Sequence, residues 1–123
     1  MSHNSTNLVR ATLIGTVAQC GMVAAGHYTS TVANLFAVAG MAISLAAGAL
    51  YARRTAPATR AAIATGGAIV GGCCAILGIA VSYAHGDVPA LILLVGTLSS
   101  TATGAIGGII ARPASTPRPR QVP

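Results

Sequence analysis

Thiol, thioether and imidazole groups are the side chains of this sequence best suited to chemistry. Cys20, Cys73 and Cys74 fall within long apolar stretches, as do Met22 and Met41. These soft ligands favour Cu(I), but adjacent residues point about 100° apart on a helix, so Cys73 and Cys74 are poorly placed to chelate one ion. The sequence also contains no CxxC or MxxxM motif. We therefore expect no cofactor and no bound metal, and we interpret the free cysteines as small buried hydrophobes.

A second group consists of His27, His85 and Asp87, the only acidic residue of the chain. All three fall in short connections between apolar stretches. Because imidazole titrates near neutral pH, a cluster of these residues would be able to sense pH or bind a metal. Histidines also occur in short turns simply because turns are exposed to water, and the sequence leaves both interpretations open.

The sequence offers no set of groups for catalysis. It has a single acid, and no nucleophile is paired with a base, so general acid–base catalysis and covalent catalysis both lack the residues they need. We predict that the protein is not an enzyme.

The composition is that of a membrane protein. Hydrophobic residues make up 54% of the 123 residues and charged residues only 7%, whereas soluble domains carry about a quarter charged residues. The net charge of +6 does not indicate nucleic-acid binding, since the arginines form no stripe interleaved with aromatic residues. The absence of lysine beside abundant Ala, Gly and Arg is typical of a GC-rich bacterial genome.

The hydropathy pattern predicts an all-α fold with four transmembrane helices, at about 8–26, 31–51, 61–83 and 88–111. Each is long enough to cross a hydrocarbon core of about 30 Å. Tyr28, Tyr51 and Tyr83 mark span ends, where tyrosine rings favour the membrane interface. We expect Asp87 to cap the fourth span and Pro89 to lie in its first turn.

The basic residues determine the predicted topology. All seven are arginines, and they flank the spans where the positive-inside rule places cytoplasmic segments. They are Arg10, Arg53, Arg54, Arg60, Arg112, Arg118 and Arg120. We predict contacts of these side chains with lipid headgroups, both termini in the cytoplasm, and a location in the bacterial inner membrane. The basic, proline-rich tail, residues 113–123, is predicted to be disordered.

The two halves of the chain resemble each other at a constant offset of 56 residues, which pairs Gly40 with Gly96 and Gly48 with Gly104. Because each half contains two spans, the repeats would have parallel orientation. We interpret the bundle as two similar tandem hairpins.

Small residues recur at steps of four in three of the spans, which lets another helix backbone approach closely. The predicted helix-packing residues are Gly40, Ser44, Gly48, Gly67, Gly71, Gly96, Ser100, Gly104 and Gly108. These rows either hold the four helices of one chain together or, if one row faces outward, build an oligomer.

The spans contain few polar groups. A band of Ser99, Ser100, Thr101 and Thr103 on the fourth span offers a path for water or a solute, although hydroxyl groups also bond to the preceding turn of their own helix. No charged residue lies deep inside a predicted span, which argues against ion-coupled transport.

These features favour a non-enzymatic structural or assembly subunit that acts through helix packing in a homo-oligomer or a larger membrane complex. Its partners would be the lipid bilayer and other membrane subunits, not nucleic acid. On this hypothesis Gly48→Leu or Gly104→Leu would dissociate a complex. The alternatives are a holin-like protein that permeabilises the membrane, and a channel or uncoupled carrier for a small solute.

Overall fold

The computed structural model describes residues 2–55 and 58–112, which form helices without any strand. The helices are α1 (His3–Tyr28), α2 (Ser30–Asn34), α3 (Phe36–Arg54), α4 (Arg60–Ala84) and α5 (Ala90–Ala111). All but α2 are long and apolar enough to cross a membrane, with 26, 19, 25 and 22 residues. The predicted all-α fold with four spans is confirmed. The predicted tail, with Arg118 and Arg120, lies outside the described residues.

The second predicted span, 31–51, is not one continuous helix. It is divided at Leu35, whose φ of −99° and ψ of 2° leave the helical range. The Leu35 amide donates to the carbonyl of Val32 at 3.0 Å. This bond reaches the third preceding residue and not the fourth, so the last turn of α2 is tighter than an α-helical turn. The ring of Phe36 then lies directly against Gly26 of α1. This contact packs the start of α3 against the end of α1.

The turn between α4 and α5 differs from the predicted cap. Helix α4 ends in a Schellman motif, in which the Gly86 amide donates to Tyr83 and the Asp87 amide to Ser82, both at 3.0 Å. Gly86 adopts a φ of 78°, which favours glycine. Pro89 precedes α5, and no side chain caps that helix. The motif turns Asp87 away from α5, so this residue is free for another contact.

The four long helices pack as one bundle, in which the most extensive contacts are those of α5 with α4 and then with α3. Helices α3 and α4 contact each other and both outer helices, whereas α1 and α5 do not touch within the described residues. The bundle core is formed by Ala11, Ala47, Tyr51, Ala52, Ile63, Val70 and Cys74.

The two ends of the bundle carry different polar residues. At one end the buried Asn7 donates from its amide to the carbonyl of Arg54, which joins the start of α1 to the end of α3. This arginine end carries Arg10, Arg53, Arg54, Arg60 and Arg112. The opposite, histidine end carries His27, His85 and Asp87.

Candidate functional site

Glycine residues bring three helix backbones into contact in the arginine-side half of the bundle. A Cβ added at Gly71 of α4 would lie 2.6 Å from the Ser100 carbonyl oxygen and 2.8 Å from Gly104 Cα. A Cβ added at Gly48 of α3 or at Gly67 of α4 would clash with the Gly104 carbonyl oxygen. No residue other than glycine fits at Gly104 without moving a neighbouring helix. We call Gly48, Gly67, Gly71 and Gly104 the glycine contact.

The predicted helix-packing residues therefore lie inside one chain. Eight of the nine are buried, and Gly96 is half-buried against the Ile79 side chain. The eight are Gly40, Ser44, Gly48, Gly67, Gly71, Ser100, Gly104 and Gly108. None of these rows is left on the outer surface for a second chain.

Sequence reasoning missed several further close approaches, two of which involve adjacent glycines. Gly66 receives the ring of Tyr51, and Gly107 lies against the backbone of Leu45. Both glycines belong to Gly-Gly pairs with predicted packing residues, Gly67 and Gly108. These Gly-Gly pairs were the sequence feature that could have predicted both contacts, because two adjacent glycines let one helix pack closely on two faces.

Polar groups join three helices at the middle of the bundle. The side-chain amide of Gln19 on α1 donates to the Gly40 carbonyl at 3.0 Å. The hydroxyl of Ser44 on α3 donates to the Gly71 carbonyl of α4 at 3.4 Å, and the Cys74 thiol donates to the same oxygen at 3.3 Å. Gln19 and Ser44 are 2% and 0% exposed. Together with the glycine contact, these bonds close the bundle between its middle and its arginine end.

Toward the histidine end the helices separate around a cavity of about 440 Å³. Every helix contributes to its wall, and most of the wall is apolar. The apolar side chains include Met22, Val23, Phe36, Met41, Ile79, Ile92 and Val95. The polar side chains are Gln19, Asn34, Ser82, Asp87, Ser99 and Ser100. An apolar pocket of this size with a few polar groups is typical of small-molecule sites.

Ser82 is a buried polar residue of this wall. It is 2% exposed, and its hydroxyl has no hydrogen-bond partner among the described residues. A helical serine usually bonds to its own preceding turn, as Ser99 does to the Val95 carbonyl at 2.9 Å. Buried polar groups without a partner are rare in folded proteins. Thr12, Thr16 and Thr97 also carry buried hydroxyls without a partner among the described residues, and none of the three lines this cavity. The candidate site is therefore identified by the volume and the lining of the cavity, to which Ser82 adds one unpaired polar group.

The predicted Ser/Thr band does not form a continuous path. Ser99 and Ser100 line the cavity. Thr101 instead donates to the Thr97 carbonyl at 2.8 Å, and Thr103 donates to the Ser100 carbonyl at 3.1 Å. The cavity is therefore a pocket that ends at the middle of the bundle.

The structure brings His27, His85 and Asp87 together at the histidine end. His27 Nδ1 lies 3.3 Å from Asp87 Oδ1, and the two imidazole rings are 5.6 Å apart. His85 Nδ1 donates to the Val81 carbonyl at 2.8 Å, so this ring is held against its own helix. No group of three metal-ligating side chains occurs among the described residues. The contact instead holds Asp87 at the wall of the cavity.

The cysteines are dispersed. Cys73 is exposed on the outer surface, Cys20 is half-buried, and Cys74 is buried in the core. Met22 and Met41 line the cavity. These five side chains thus lie in four different environments and form no common site.

No protein-family model, curated protein or solved structure matches this chain. The class of protein follows from the fold and the helices themselves. The chain is a small multi-pass membrane protein with four apolar helices, and a cavity lies in one half of its bundle.

Proposed function

We propose that the protein is a non-enzymatic membrane protein that binds a small, largely apolar solute in the cavity at the histidine end. The observation that carries this proposal is the largely apolar cavity to which every helix contributes, with a few polar side chains in its wall. The volume of about 440 Å³ lies within the range of known ligand pockets. The small-residue rows are used for packing inside one chain, whereas none of the described residues fills this cavity.

The proposed location is the cytoplasmic membrane of a bacterium, with both termini in the cytoplasm. The described arginines lie at one end of the bundle, and cytoplasmic loops carry an excess of such residues. The histidine end, and with it the cavity, then faces the outside. On this proposal the solute arrives from the external medium or the outer leaflet.

The closed arginine-side half favours binding or uncoupled carriage over a permanent channel. Backbone contacts at Gly48, Gly67 and Gly104 leave no opening for a solute. The spans hold no charged residue near the middle of the bundle, and ion-coupled transporters use such groups. Release on the cytoplasmic side would require the glycine contact to separate.

Filling the cavity provides the test. Gly40 lines it, and an added Cβ would lie 3.5 Å from Gln19 Oε1, an ordinary contact. Gly40→Val therefore places its side chain in the cavity without displacing a backbone. Because the valine side chain takes up space in the cavity, we expect the variant to lose at least about tenfold in affinity for 2-phenylethanol. A tenfold loss corresponds to about 1.4 kcal/mol of binding free energy. Equilibrium dialysis of protein in phosphatidylcholine nanodiscs, with empty nanodiscs subtracted, measures this affinity.

Gly21→Val is the matched control. Gly21 lies on the same bundle, but an added Cβ would meet nothing within 4 Å. It lies outside the cavity wall, so 2-phenylethanol binding should be unchanged. Equal binding by wild type, Gly40→Val and Gly21→Val would show that the solute occupies lipid or another surface, and would refute the proposal.

The assembly role is the second candidate, now through a different surface. On α1, Ala18, Gly21 and Ala25 are all exposed and fall on one face, and the space around Gly21 is open. A second helix would be able to approach closely there. If a homo-oligomer forms through this face, Gly21→Leu should convert it to monomer in mild detergent, whereas Ala102→Leu, on the exposed side of α5, should not. A monomeric wild type would refute this candidate.

We also propose that the two hairpins arose by tandem duplication. Gly48 and Gly104 are equivalent at the offset of 56 residues, and they lie against each other where the hairpins meet. This is the contact expected when two similar hairpins stack side by side.

A further inference from the structure

The polar side chains that line the cavity can all accept hydrogen bonds, and Asn34, Ser82 and Ser100 can also donate them. Gln19 uses its amide nitrogen for Gly40 and Ser44, and its Oε1 receives no hydrogen bond from the described residues. Ser99 donates its proton to Val95, which leaves its oxygen lone pairs to the cavity. Among the described residues, no arginine or histidine lines the wall. The cavity therefore offers free acceptors and no cationic side chain from this part of the chain.

Asp87 adds a negative charge to this wall. It is the only acid of the chain, and its side chain is 23% exposed. One carboxylate oxygen lies near His27, and the other has no partner among the described residues. The Asp87 amide donates to the Ser82 carbonyl at 3.0 Å, so the carboxylate and the free Ser82 hydroxyl belong to the same segment of the wall.

Apolar groups occupy the rest of the cavity. Met22, Phe36 and Met41 present thioether and aromatic surfaces, which accommodate an apolar body, and an aromatic face also attracts a cation. We propose that the ligand is a small amphipathic ammonium ion, whose N–H groups bind Asp87 and Ser82 and whose apolar body fills the cavity. This inference rests on the proposed function and names its ligand class.

Two probes of the same shape test the inference. At neutral pH 2-phenylethylamine is a cation that donates N–H bonds, whereas 2-phenylethanol is neutral. The amine can form charge-assisted hydrogen bonds that the alcohol lacks, so we expect it to bind about tenfold more tightly than the alcohol, which corresponds to about 1.4 kcal/mol. Dialysis against wild type in nanodiscs of zwitterionic phosphatidylcholine gives both dissociation constants without attraction of the amine to anionic lipid.

Asp87→Asn preserves the shape of the side chain and removes its charge. The amine should then bind no better than the alcohol. In Asp87→Asn a thiol reagent should label the buried Cys74 as slowly as it does in wild type, which verifies that the variant is folded.

The outcomes separate this inference from the proposed function. Equal affinities for both probes in wild type, abolished by Gly40→Val, would overturn the ammonium ligand and leave the solute-binding function intact. A preference for the amine that survives in Asp87→Asn would also overturn it. Failure of both probes to bind would overturn the inference and the proposed function together.

Discussion

Gly104→Ala is expected to destabilise the folded bundle by about 1–3 kcal/mol, the usual cost of overpacking a tightly packed interior. The added Cβ would lie 2.8 Å from Gly71 Cα and would clash with the Gly67 carbonyl oxygen. These neighbours are backbone atoms, so relief requires α4 and α5 to move apart. In a membrane, close packing of this kind supplies much of the driving force for helix association, and separation of the helices removes it.

The buried Cys74 thiol provides the measurement. Cys74 is 0% exposed, so a maleimide reaches it only after the bundle opens. With Cys20 and Cys73 replaced by serine, the labelling rate of Cys74 across an SDS titration reports the free energy of unfolding. Gly104→Ala should shift the labelling transition to lower SDS.

Gly21→Ala is the control, because it introduces the same methyl group on a helix at a position without neighbours within 4 Å. It should leave the transition in place. Identical transitions for Gly104→Ala and Gly21→Ala would contradict the glycine contact.

The sequence predicted the small-residue rows but not their partners. From the sequence, Gly48→Leu or Gly104→Leu was expected to dissociate a complex of several chains. In the structure both residues lie inside one chain, so the same substitutions should first unfold the monomer. The reason for the difference is physical. Lipid and protein interior are both apolar, so hydrophobic periodicity does not reveal which face of a membrane helix is covered by protein.

The four apolar helices were predictable because length and hydropathy alone determine which segments can span a bilayer. The cavity was not, because it results from how far the helices diverge, and no residue type reports that. Ser82 and Ser99 look alike in the sequence, yet only Ser82 lacks a bond to its preceding turn. From the sequence, Asp87 was expected to cap the fourth span. In the structure the Schellman turn places its side chain against His27 of α1 instead.

Tyr51 shows most directly how burial changes an expectation. The sequence placed it at the membrane interface with Tyr28 and Tyr83, as an anchor in the headgroup region. The structure leaves Tyr28 87% exposed and Tyr83 50% exposed, whereas Tyr51 is only 7% exposed. Its ring lies against Gly66, in the same cluster as Ile63. Tyr51 therefore fills the space between α3 and α4.

Tyr51→Ala is accordingly expected to cost about 2 kcal/mol of stability. Truncation of a buried aromatic ring costs about 3–5 kcal/mol in soluble cores, but part of that value is transfer from water, which a bilayer does not supply. The remainder is the packing lost around the vacated ring. Tyr51→Phe retains the ring and should be nearly neutral, and Tyr28→Ala should have no effect, both by the Cys74 labelling assay. If Tyr51→Ala behaved like Tyr28→Ala, Tyr51 would be an interfacial anchor after all, and the close packing of α3 on α4 at the arginine end would be wrong.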